Sequence, residues 1–219
     1  MSKPVVRAPL RSNARANRAR ILATARRELG RDPDVTLEEL ARAAGVVRRT
    51  LFGHFPGRAA LLEALADEAS ETLRDAVVDG ALRAEGESAE RVLARLVCAM
   101  WPVGDRYRML LALARRDLGA ERVAEVLAPA RAETARVLER GQRDGVFHTH
   151  LPADVLAAGL EAMTVALLEA VNTGALEDDG GRQVAVVTLI AAGVPQERAC
   201  VVAAETATAV AAEATTAGE

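Results

Sequence analysis

Apolar residues recur along this chain at spacings of three and four, the period of a helix with one packed face, and alternating runs of the kind that make strands are few. Between Ala14 and Gly30 the residues Ile21, Leu22, Ala25 and Leu29 form one stripe, closed by Gly30 and the turn from Arg31 to Asp34. Thr36 and Glu39 then stand in the T-x-x-E pattern of a capping box, which predicts a helix from about Leu37 with Leu37, Leu40, Ala41 and Ala44 on one face. Gly45 ends that helix, because only glycine takes a left-handed conformation without a Cβ clash. Val46 plugs the turn. A second short helix from about Arg48 to His54 directs Leu51 and Phe55 inward and leaves Arg48, Arg49, Thr50 and His54 to a partner, before Pro56 and Gly57 stop it.

Further on, Gly57 to Asp79 reads as one longer helix with Leu62, Leu65, Ala66, Ala69, Leu73, Ala76 and Val77 inward. As a rigid rod it is suited to transmit a shift from one end to the other. Four more helical segments follow, Ser88 to Trp101, Asp105 to Leu118, Ala120 to Arg143 and Pro152 to Asn172. Their punctuation is Pro102 to Gly104, then Gly119, then Asp144 and Gly145, and Pro129 predicts a kink or break inside the third. Pro152 suits a first helical turn, followed by the apolar face of Leu156, Gly159, Leu160, Met163, Leu167 and Val171. The stretch from Gly181 to Gly193 is apolar around much of its circumference and must be covered on more than one side. Residues 199–219, rich in Ala and Thr, are either a final weak helix or a frayed tail. The fold class is therefore all-α.

Composition sharpens this picture. Half of the 219 residues are hydrophobic, yet only Phe52, Phe55, Trp101, Tyr107 and Phe147 are aromatic, so the core rests on Leu, Ala and Val. The net charge of −3 conceals an asymmetry: residues 1–60 hold 13 Lys or Arg against 5 Asp or Glu, a net of +8, and the remainder holds 15 against 26, a net of −11. A basic end on an acidic body fits a protein that meets a polyanion at one end only. Residues 1–14, with Lys3, Arg7 and Arg11 and no periodicity, are expected to be a disordered basic arm. Residues 15–60 would then be one domain, the basic one, and 61–219 a second, acidic and helical. Cys98 and Cys200 have no paired spacing and no secretory peptide precedes them, which predicts reduced thiols in the cytoplasm. The longest uncharged stretch, Gln183 to Gln196, falls short of the ~20 residues that span a bilayer, so no membrane association is expected.

Two helices joined by a tight turn, the second with exposed donors, are what a major groove about 12 Å wide accepts. The run A-x-x-A-G-V-x-x-x-T-L-F-x-H-F-P-x-R-x-x-L resembles the DNA-binding signature of TetR-type transcriptional regulators, and Ile21 to Glu68 is similar to their first four helices. The resemblance implies a helix-turn-helix reading operator DNA, with Thr36, Arg48, Arg49, Thr50, Phe52, His54 and Arg58 as the candidate DNA-binding residues. Two departures stand out. Ser or Thr is frequent in the family where Val47 stands, and Tyr where Phe52 stands, so two hydroxyl contacts to phosphate do not carry over.

The resemblance also implies a homodimer in which two late helices of each subunit form a four-helix bundle. The expected seam is Leu160, Met163 and Leu167 with Val187 and Ile190. Met100, Trp101, Tyr107, Met109, Phe147 and Met163 gather the large adaptable side chains of the acidic body and are the candidate pocket for a small apolar effector. G-x-S-x-G, H-E-x-x-H, P-loop and G-x-G-x-x-G patterns are missing, which argues against an enzyme and implies no cofactor. His148 and His150 beside Asp154 read as a polar turn between helices rather than a metal site. The expectation is a dimeric, ligand-released repressor. The alternatives are an activator or DNA binder without an inducer, and an enzyme or carrier that happens to contain the motif.

Overall fold

The computed structural model describes residues 8–84 and 86–216. Among these the chain is helical without strands, in nine helices: α1 (Ala8–Arg31), α2 (Leu37–Ala43), α3 (Arg48–His54), α4 (Arg58–Arg83), α5 (Ala89–Asp117), α6 (Ala120–Arg143), α7 (Ala153–Asn172), α8 (Arg182–Ala191) and α9 (Gln196–Thr216). None of them is long and apolar enough to cross a membrane.

The chain divides into two compact units, Met1–Glu68 with Met109–Val123, and Ala69–Arg108 with Ala124–Glu219. In the first, α1, α2 and α3 pack pairwise around Ile21, Leu22, Ala25, Leu29, Leu40, Ala41, Ala44, Leu51 and Phe55, all buried. These are the apolar stripes that the sequence period picks out. The segment 109–123 of this unit buries Leu110, Leu113 and Val123 and carries ion pairs: Arg122 with Glu63 and Asp67, Arg116 with Asp34, and Asp117 with Arg58. Ion pairs between residues this far apart in the chain leave no local pattern, so the sequence period does not reveal that 109–123 groups with the first helices.

The second unit has a core of Leu, Val and Ala from α5 to α9, with Trp101 and Phe147 its only aromatic members among the described residues. Its α7, α8 and α9 form a consecutive set, α8 packing on both neighbours.

Three expectations need correction. Pro102 and Gly104 do not separate two helices; α5 runs through both. Proline costs α5 one ladder bond, but Gly104 lets α7 come close: a Cβ there would lie 3.1 Å from a Leu168 methyl. The close approach of Leu168, rather than a turn, accounts for the glycine. Likewise α1 starts at Ala8, so residues 8–14 are helical, consistent with the high helix propensity of their Ala, Arg and Leu. The rest of the proposed arm lies outside the described residues. Lastly, Pro152 is the N-cap of α7 and not part of its first turn. Pro129 sits inside a continuous α6, and residues 196–216 form a helix, so 199–216 are helical; the last three residues lie outside the described ones.

Candidate nucleic-acid interface

The geometry begins at Thr36. Its backbone N–H donates to Glu39 Oε2 at 2.9 Å, its hydroxyl donates to the same oxygen at 2.7 Å, and Glu39 N–H donates to Thr36 Oγ1 at 3.3 Å. Hydrogen bonds from the Thr36 hydroxyl first, and then from its backbone, hold the Glu39 carboxyl below its ordinary value. Thr36 therefore starts α2. Its other end closes with Gly45 N–H on Arg42 O at 3.1 Å and Val46 N–H on Ala41 O at 3.0 Å, the paired bonds of a Schellman motif. This closure requires φ of +63° at Gly45, which is why a glycine stands there.

The turn delivers the chain to α3. Val47 is its N-cap, with no side-chain hydrogen bond and 70% exposed. A hydroxyl at this position would cap free N–H groups. Val47→Thr is therefore expected to raise stability by about 1 kcal/mol, read as a higher midpoint in denaturant at unchanged slope.

On α3, Leu51 and Phe55 are buried and anchor the helix. Arg48 and Arg49 are exposed in its first turn. They are not equivalent: Arg48 pairs with Glu38 at 2.9 Å and lies 5.1 Å from the Phe52 ring centroid, whereas Arg49 has no ion pair or hydrogen bond among the described residues. Thr50, Phe52 and His54 are half-buried, with the His54 ring 6.2 Å from that of Phe55.

Arg58 stands apart from the others. Its guanidinium donates to Val35 O at 3.1 Å, to Pro33 O, and to Asp117 at 3.3 Å, so it ties the turn before α2 to the end of α5. Hydrogen bonds from Arg116, and then from Arg58, hold the Asp117 carboxyl below its ordinary value. Arg58→Ala is expected to cost about 1–2 kcal/mol of stability and to leave the salt dependence of DNA binding unchanged. A flatter salt slope at unchanged stability would make Arg58 a phosphate contact.

One group escapes a motif search. Arg15 and Arg18 are exposed on α1, and the Arg18 guanidinium lies 5.4 Å from the centroid of Phe55, the residue that ends α3. The signal was present as the spacing of Arg11, Arg15 and Arg18, four and three residues apart on a helix. Arg15 and Arg18 extend the basic surface beside the helix-turn-helix.

The other candidate residues lie in the second unit, apart from Met109. Trp101 and Phe147 are core residues: Trp101 Nε1 donates to Asp178 at 2.8 Å, and Phe147 covers Gly141 so closely that a Cβ there would clash with its ring. Met100 and Met163 pack against that core, Tyr107 is buried and Met109 is exposed. None of these six lines either of two cavities in the second unit, of about 260 and 490 Å³. In the seam, Leu160 is 5% exposed and belongs to the subunit core, and Met163 and Leu167 pack against it, while Val187 and Ile190 are 39% and 41% exposed. Leu160 therefore has no face to offer a second copy. The His148 ring bonds Ala191 O at 2.9 Å and stacks on His150 at 5.1 Å, as a docked turn does, and no cluster of metal-ligating residues occurs among those described.

Residues 21–65 match the family model described as bacterial regulatory proteins, tetR family. No curated protein matches the chain. Among solved structures, the TetR family protein CprB from S. coelicolor A3(2) is similar with a TM-score of 0.70 and 22% identity, over 90% of this chain and 98% of its own. A TetR-family regulator described as putative, from Rhodococcus sp., gives 0.69 and 19% over 81% and 98%. The TetR-like regulator LfrR from Mycobacterium smegmatis, in complex with proflavine, gives 0.63 and 22% over 81% and 94%.

Proposed function

From a chain whose N-terminal helix-turn-helix is that of the tetR family of bacterial regulatory proteins, we propose a homodimeric transcriptional repressor that a small molecule releases from its operator. The single observation that carries the DNA-binding part is the exposed arginine pair in the first turn of α3, held on a capped and glycine-closed helix-turn-helix. N-terminal residues of such a second helix reach base edges, and Arg offers two donors to the O6 and N7 edge of guanine. Arg15 and Arg18 serve phosphates. Two subunits lay their α3 helices in successive half-sites roughly 34–36 Å apart, one turn of duplex.

Release by an effector is supported by the cavities of the second unit and by the proflavine complex of LfrR. The effector lowers operator affinity by its differential affinity for two conformations, and a coupling of about 1–3 kcal/mol amounts to roughly 5–150-fold.

Selection of bound sequences from a random duplex library tests the reading. The expected product is a two-fold symmetric site whose affinity falls steeply with salt, because each neutralised phosphate releases counterions. Unselective binding with the same salt slope would favour an architectural DNA binder without an operator.

A further inference from the structure

We infer that the cavity of about 260 Å³ lined by α4, α5 and α9 in the second unit binds a small carboxylate with an apolar body, and that Glu213 of α9 holds the place of the ligand's carboxylate. This rests on the ligand-release reading and names the chemistry of its effector.

The cavity is built around Arg95, whose side chain is only 7% exposed. Burying a guanidinium requires partners, and it has two: Nη1 bonds both oxygens of Glu213, at 3.0 and 3.1 Å, and Nη2 bonds Glu87 at 3.0 Å. Burial works against the cation, but the hydrogen bonds to Glu87 and then Glu213 outweigh it and hold the Arg95 pKa above its ordinary value. The pairing with Glu213 is nonetheless a poor one. Arginine holds a carboxylate best through two parallel N–H···O bonds from two nitrogens, yet here one nitrogen serves both oxygens. The buried Nε–H has no acceptor among the described residues. A carboxylate that is not tethered to a helix can take the two-nitrogen geometry that Glu213 does not.

Glu213 is also easily displaced. It sits in the last turn of α9, where the helix macrodipole disfavours a negative charge, and Val210, one turn earlier, packs against the core. Arg83 lies 3.6 Å from it and is shared with Asp79. Asp79 and Arg83 also line the cavity, and the rest of its wall is apolar, with Gly80, Ala99, Pro102 and Val210 among the lining residues. An apolar cavity of about 150 Å³ accommodates benzene, so this volume suits a body of about eight to ten non-hydrogen atoms. A buried guanidinium beside small apolar residues suits a short fatty or aryl carboxylate.

Calorimetric titration of the full chain with octanoate, and with octan-1-ol as its uncharged counterpart, tests the site. Octanoate is expected to bind at least tenfold more tightly than octanol. Glu213→Gln removes the internal competitor and should tighten octanoate binding several-fold, whereas a merely structural ion pair predicts no gain. Ala99→Leu fills the cavity and should abolish binding at an unchanged circular dichroism spectrum. Equal affinity for acid and alcohol, no gain in Glu213→Gln, undiminished binding by Ala99→Leu, or no heat from octanoate would each overturn the assignment. Operator affinity, measured with and without octanoate, separates the two readings. Binding that leaves operator affinity unchanged supports the site and sinks ligand release; tight operator binding with no octanoate heat does the reverse for the site alone.

Discussion

Replacing Ile190 with glutamate is expected to give a folded, helical monomer that no longer binds a two-half-site operator tightly. Ile190 and Val187 are three residues apart on α8 and about two-fifths exposed each, while Val184, Ala185 and Leu189 on the same helix are buried in the subunit. Val155 on α7 is half exposed, and Ala158, Gly159, Ala162 and Ala166 continue its uncovered face at helical spacing. Small residues let a second helix approach closely, and β-branched residues supply the apolar contact. A charge at Ile190 would be solvated in the monomer but buried without a partner in the dimer, so it acts on association rather than on folding. Specific binding then falls toward the non-specific level, about 10³-fold or more weaker, because only one half-site is engaged at a time. Sedimentation and circular dichroism measured together decide the matter. Leu167→Glu is the contrasting variant: Leu167 packs against the subunit core, so its loss of operator binding should come with unfolding. An Ile190→Glu protein that remains dimeric would move the interface to another face.

What could be read from the sequence here was local. The capping box at Thr36 and Glu39, the glycine closure at Gly45 and the inward pair Leu51 and Phe55 each lie within one helical turn or one loop, where spacing alone fixes which groups meet. Partners distant in the chain were not legible. Arg58 looks like a free cation beside a recognition helix until Val35, Pro33 and Asp117 are brought around it. Leu160 and Ile190 read alike as apolar positions on apolar helices, and only packing separates a core residue from an exposed one. Pro102 misleads for a related reason: its missing N–H predicts a break, but α5 continues through it with Trp101 before it and Leu110 and Leu113 after it buried.

The arginine pair of α3 offers the sharpest test of specificity. Arg48 already has work within the protein, its guanidinium paired with Glu38 and lying over Phe52, so DNA must compete with a carboxylate and an aromatic face for it. Arg49 gives up no such partner among the described residues on meeting DNA. Arg49→Ala is therefore expected to lose ~1–3 kcal/mol on the selected site, roughly 5–150-fold, and Arg48→Ala to lose less. The form of the loss identifies the contact. A base reader relaxes the preferred nucleotide at one position of each half-site and leaves non-specific affinity nearly intact. A phosphate contact weakens every sequence alike and flattens the plot of log K against log salt by about 0.9 for each phosphate released. Repeating the site selection with each variant, beside anisotropy titrations at several salt concentrations, distinguishes these outcomes. A larger loss for Arg48→Ala would mean that its pair with Glu38 opens on DNA and that Arg48 is the reader. In that case Glu38→Gln, which frees the guanidinium beforehand, should tighten binding, whereas with Arg49 as the reader it leaves the preferred sequence unchanged.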